Sequence, residues 1–388
     1  VYFFQYTLWG YVFTDPYLHF FIWSIAIFFI AFFLSSNDSF LSLETFFLSL
    51  LLVSSSFVIA SVFSNVSAYP FNLYWSDGNR IWDYSIMFGR DLYNYPDNLP
   101  IYAYASPGRQ LLWGLPFLLP KTSICLNRFW SALVFSLPYM IFGWVLFRKA
   151  GGQKGILFLL GLWTFLFLNQ GPIYTQLVLS AILVALSWKR PLWLGIPLVF
   201  FAAYYAQASR VTWFVAPAMW IGMLELVDIP METGFMPMKK WCRAVGLVFS
   251  GLSGGVLLPT IIETIQSNRL GTPVISVSDS LNQSLLWYRL LPNETYSIGV
   301  LLGLILAIGP VLFFLRQHKF CLFGVQKFGL WVATLAFLVV GLVASTKIGG
   351  GNNLHNLDMF LVGMVFIVAI AWDRGTLRLL IAELGAYS

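Results

Sequence analysis

Long, almost uninterrupted apolar stretches alternate with short polar segments along the whole chain. Phe20 to Leu34, for example, contains a single hydroxyl, Ser24, among fourteen apolar side chains. A membrane-crossing helix needs about 20 mainly apolar residues, with a range near 17–25. The pattern predicts spans at roughly 17–34, 44–64, 125–147, 155–169, 174–187, 192–207, 213–227, 244–263, 297–315, 328–345 and 359–372. Residues 1–14 read as an interfacial segment or part of one more helix. A transmembrane β-barrel would instead alternate apolar and polar residues in segments of about 10. The expectation is therefore an all-α polytopic membrane protein of about eleven transmembrane helices, forming one transmembrane domain over 1–388. Loops at 65–124 and 264–296 are long for mere connections, and 346–358 is short but densely polar.

Composition strengthens this reading. Of the 388 residues 59% are hydrophobic and only 10% charged, against about 25% charged in a typical soluble domain. A soluble enzyme, a disordered chain and a fibrous repeat are excluded on that ground. The formal net charge of +6 is not a nucleic-acid signal, because in membrane proteins Lys and Arg gather in cytoplasmic loops. Strict alternation puts Arg148/Lys149/Lys154, Lys189/Arg190, Lys239/Lys240/Arg243, Arg316/Lys319/Lys327 and Arg374/Arg378 on one side. That side holds 13 of the 22 Lys and Arg but 7 of the 16 Asp and Glu, and is assigned to the cytoplasm. The three long or polar loops then lie outside, which a bacterial inner membrane with a periplasmic active face would satisfy. The 35–43 linker, on the basic side, carries no Lys or Arg. Cys125, Cys242 and Cys321 match no metal-ligand spacing and predict no disulfide framework. No basic stretch precedes an apolar core near residue 1, so no cleaved signal peptide is visible in the sequence.

Three groups of polar residues stand on the outer side. The first follows the second span, with Asp77, Arg80 and Asp83 leading into a helix expected from Asn79 to Tyr93. Arg80, Asp83 and Arg90/Asp91 form its polar stripe; Ile81, Phe88 and Leu92 lie on an apolar face, as in a helix lying at the membrane interface. Asp77 is either the cap of that helix or a carboxylate held at the membrane surface as a general base. The second group is Lys347 with Gly349–Gly351, Asn352, Asn353, His355, Asn356 and Asp358. A glycine run with a neighbouring cation suits an anionic group such as phosphate, or else it is a flexible exit loop. The third group is Arg109, Arg210, Arg269 and Arg289, a set of cations where the positive-inside rule predicts depletion. Each either snorkels, pairs with Asp77, Asp83 or Asp279, or holds a planar phosphate group. His355 has no second His or Cys nearby, so zinc has no support. Asp77, Asp83 and Asp358 have the oxygens a divalent cation takes, but nothing requires a metal or other cofactor. Trp75, Trp82, Trp113 and Trp130 read as the interfacial aromatic belt.

An acid in the first long outer loop, an interfacial helix after it, and a late Lys-x-Gly-Gly-Gly-Asn-Asn loop leading into a final span form a set. It resembles the GT-C superfamily of integral membrane glycosyltransferases, particularly the enzymes that use polyprenyl-phosphate-linked sugars. The resemblance covers most of the chain as topology and two short regions as motif. It implies a catalytic base at Asp77, with Asp83 as the other candidate. It implies that Lys347, Arg210 and Arg289 hold the donor phosphate, with Arg80, Asn352, Asn353 and His355 as further substrate contacts. The implied partners are a lipid-linked sugar donor, membrane lipids and a glycan, lipid or protein acceptor, with no nucleic acid. Two features depart from the family: Gly78 follows Asp77 where many members have a second acid, and the acidic loop follows the second span. A lipid-linked oligosaccharide polymerase or ligase, and a non-catalytic subunit of a membrane complex, remain the alternatives. A transporter would place functional polar groups near the midplane, whereas these charges gather at one face.

Overall fold

The computed structural model describes residues 16–35, 42–64, 66–67, 77–96, 98–99, 106–151, 154–171, 173–230, 238–270, 284–317, 322–347 and 353–375. All of their regular structure is helical. In chain order the helices are α1 (Pro16–Leu34), α2 (Leu43–Phe63), α3 (Asp77–Ser85), α4 (Pro107–Gly114), α5 (Ile124–Val134) and α6 (Leu137–Lys149). There follow α7 (Lys154–Leu168), α8 (Thr175–Ser187), α9 (Leu192–Ser209), α10 (Ala216–Val227) and α11 (Met238–Leu252). The last four are α12 (Leu258–Leu270), α13 (Gly299–Gln317), α14 (Gly324–Lys347) and α15 (Asp358–Asp373).

Every predicted span coincides with one of these helices or a stacked pair. Eight are long and apolar enough to cross a membrane, α5–α6 and α11–α12 each counting as one. The other three, over 155–168, 175–187 and 211–227, are shorter apolar helices, so among the described residues eight of the expected eleven meet the length requirement. Helix α15 is the central post, with 89% of its apolar window buried; α1, with 11%, turns its phenylalanines outward. Around α15 the bundle closes through large side chains: Phe366 lies between Phe142 of α6 and Trp220 of α10, at ring distances of 5.3 and 5.5 Å.

Glycines set the closest approaches. Between α11 and α12 the chain forms a π turn over Ser253–Leu257. A Cβ on Gly254 would strike the carbonyl oxygen of Phe200, and one on Gly255 that of Phe214. Two bare backbones thus meet α9 and the turn after it, and the wider π turn accommodates the extra residue.

The interfacial helix differs from expectation. It starts at Asp77 and ends at Ser85, and Arg90–Tyr93 forms a separate 3-10 turn. The chain folds back because Tyr93 packs edge-on against Trp82 at 4.7 Å and its hydroxyl bonds Ser85 Oγ at 2.7 Å. The polar stripe predicted to run on to Arg90 and Asp91 is therefore broken at 86–89.

Polar contacts concentrate at the two ends of the bundle. At one end, Lys149, Trp188–Arg190, Glu225–Ile229, Lys240, Arg243, Gln326 and Asp373–Arg374 are bonded to one another. These are the loops the charge count assigns to one side. The opposite end gathers the described segments 107–110, 169–171, 173–174, 209–213, 286–290, 346–347 and 353–358. Among the described residues, the basic loops grouped by alternation thus meet at one end of the bundle.

Candidate functional site

Helix α9 ends where Arg210 adopts an extended backbone, its N–H still bonded to Ala206 O at 2.9 Å. The 3-10 turn over Val211–Trp213 then folds Trp213 back beneath it. Both side chains point to the start of α15. Arg210 donates from Nη1 to Asp358 Oδ2 at 3.3 Å and from Nη2 to Asn356 Oδ1 at 2.9 Å. Trp213 Nε1 donates to the same Oδ2 at 2.8 Å, and the Met359 N–H to Oδ1 at 2.7 Å. Asp358 and Asn356 are buried, whereas the Arg210 side chain is 18% exposed. The expected partners of Arg210 were acids of the long loops; the structure supplies Asp358 instead. Both oxygens of that carboxylate already accept bonds, so it is not placed as an open cation ligand.

A second guanidinium lies alongside. Helix α4 begins with Pro107 and Gly108, and a Cβ on Gly108 would collide with Ser209, whose backbone nitrogen would be 2.8 Å away. That close approach lets Arg109 Nε donate to Ser209 O at 3.1 Å. Tyr174, which precedes α8, presents its ring to both cations: Arg109 lies 4.4 Å and Arg210 5.8 Å from its centroid. The ring quadrupole attracts cations over its face and holds two like charges on one platform. Among the described residues, the two terminal nitrogens of Arg109 have no hydrogen-bond acceptor, and the side chain is partly exposed.

The other residues singled out from the sequence are distributed as follows. His355 opens the 3-10 turn before α15, and its Nδ1 and backbone N–H both meet Asn353 Oδ1. Gly341 of α14 lets that turn lie directly on the helix, since a Cβ there would be 2.8 Å from Asn356 O. Lys347 is the last residue of α14; the preceding carbonyl, Thr346 O, accepts from Leu286 N at 3.0 Å and brings in the 3-10 turn that carries Arg289. Asp83 is buried in α3, and its carbonyl accepts from Gln110 Nε2 of α4 at 2.8 Å, next to Arg109. Tyr84 stacks on Trp113 in the same α3–α4 contact. The Asp77 and Arg80 side chains, and Asn352 with the glycines before it, lie outside the described residues.

No family model, curated protein or solved structure matches this chain. Its chemistry is therefore read from the assembled side chains alone. Arg210, Asn353 and His355 come together with Arg109 and with the unforeseen Tyr174 and Trp213, and the Leu286–Thr346 bond joins the segments that carry Arg289 and Lys347 to each other. In the sequence Arg109 is one of several arginines with nothing to set it apart. Tyr174 and Trp213 carried no distinguishing sequence signal, because a lone aromatic near a span end reads as interfacial belt. A partly exposed pair of guanidiniums backed by a buried carboxylate offers planar donors for an anion.

Proposed function

We propose that the protein is a membrane glycosyltransferase that moves a sugar from a polyprenyl-phosphate-linked donor to an acceptor hydroxyl at the end of the bundle carrying Arg210. The observation that carries this reading is the pair Arg109 and Arg210 on the Tyr174 ring, with the Arg109 terminal nitrogens turned to no acceptor among the described residues. The donor phosphate accepts from these nitrogens, with Lys347 and Arg289 at the flank, and its departure is eased by electrostatic stabilisation of the developing charge. The acceptor oxygen attacks C1 of the sugar while a carboxylate takes its proton, Asp77 first and Asp83 second. The C1–O bond to the phosphate breaks as the new C1–O bond forms, through an oxocarbenium-like transition state, and one displacement inverts the anomeric centre. The periplasmic face of a bacterial inner membrane is the location that fits the charge split.

Purified protein tests both halves. Arg109→Ala removes a cation with one internal bond, so folding should persist while binding of a polyprenyl-phosphate sugar weakens by well over tenfold, as for a truncated buried charge pair. Asp77→Asn should keep donor binding and lose about 10²–10⁴-fold in transfer rate. Wild-type transfer by both Asp77→Asn and Asp83→Asn would remove the chemical basis of this reading.

A further inference from the structure

The opposite end of the bundle contains a cavity of about 590 Å³ that the glycosyl-transfer reading does not use. Its wall is the end of α10, whose last carbonyls are capped from three directions. Gln326 Nε2 of α14 reaches the carbonyls of Leu226, Val227 and Ile229 at 2.9–3.1 Å. Arg374 donates to Val227 O and Lys240 Nζ to Asp228 O at 2.7 Å. Two further cations are neutralised: Arg243 grips Glu225 with two bonds of 2.7 and 2.9 Å, and Lys189 pairs with Asp373 at 2.8 Å. The Asp228 carboxylate accepts from Trp188 Nε1 at 2.8 Å. Lys240 and Arg374 are different. Both are exposed at the rim, both bond only backbone carbonyls, and neither has an ion-pair partner among the described residues.

The surroundings are apolar and face outward. Phe323 lines the cavity, and beyond it Val325, Phe328 and Trp331 of α14 and Met238 of α11 are 58–70% exposed. A ligand whose anionic part sits between Lys240 and Arg374 would therefore lay its remainder on a lipid-facing surface. We propose that this cavity binds the phosphate of an anionic glycerophospholipid, with the acyl chains along α14. Basic pockets between helices on the cytoplasmic side are suited to such headgroups, and the charge split places this end there. The inference does not depend on the proposed transferase activity.

Native mass spectrometry of the full chain in detergent, with phosphatidylglycerol and phosphatidylcholine added in equal amounts, tests it. Phosphatidylglycerol adducts should predominate, and Lys240→Ala/Arg374→Ala should reduce that preference by roughly tenfold. Lys240→Arg, which keeps the charge, should retain it. Equal adducts of the two lipids in the wild type would overturn the proposal. So would a double variant that melts earlier yet keeps the preference, since the two cations would then only cap α10. Glycerol phosphate competing at the same concentration as the lipid would overturn the lipid assignment and make a soluble phosphate the ligand.

Discussion

Asp358 takes up three donors at once, from Arg210, Trp213 and its own helix at Met359. Its carboxylate is 1% exposed, so its charge is tolerable only while those donors stay in place. Removing one partner of a buried ion pair costs about 3–5 kcal/mol, because the other charge is left uncompensated. Asp358→Ala should therefore lower the melting temperature of the detergent-solubilised protein by several degrees. Asp358→Asn should lower it less, because an amide oxygen still accepts from Trp213 or Met359. Equal melting of Asp358→Ala and wild type would mean that Arg210 is not anchored through this residue. Arg210 was legible from sequence, since a charge confined to a very short connection between spans has few ways to reach water. Its partner was not. Asp358 stood among the loop acids, and nothing in the linear chain reveals that 148 residues later a carboxylate returns beneath it.

At the scale of elements, apolar length was the readable signal and backbone approach was not. The spans emerged because hydropathy depends on local composition alone. The π turn between α11 and α12 depends on what Gly254 and Gly255 face, namely the carbonyls of Phe200 and Phe214. Gly255→Val should push the π turn away from the Phe214 carbonyl, and we expect sharply reduced yield of folded protein by fluorescence size-exclusion chromatography. By contrast, Gly246→Ala, which meets nothing within 4 Å, should leave the yield unchanged and gain a little helix propensity. Comparable profiles for the two variants would mean that the close approach is dispensable. The interfacial helix shows the converse limit. Its 3.6-residue periodicity was real as far as Ser85, but periodicity cannot register that Tyr93 gains more by folding back onto Trp82 than by continuing the helix.

For the whole molecule, loop charge read from the sequence groups Lys149, Lys189, Arg190, Lys240, Arg243 and Arg374, which among the described residues meet at one end of the bundle. It could not give the inward position of α15, which is set by packing on all sides. Sidedness is open to direct measurement with a membrane-impermeant maleimide. Native Cys242, exposed at the basic end, should react only after permeabilisation. Cysteine introduced by Asn353→Cys in a variant free of other cysteines should react in intact cells; the reverse pattern would invert the arrangement. The burial of α15 also has a meaning in time. Chains are synthesised at about 5–20 residues per second, so the 148 residues between Arg210 and Asp358 correspond to a wait of about 7–30 s. Throughout that interval a guanidinium and an indole N–H sit at the membrane boundary without their native acceptor, and the helices around them enclose no central post. The bundle is thus locked late, when α15 brings Asp358 to Arg210 and Trp213.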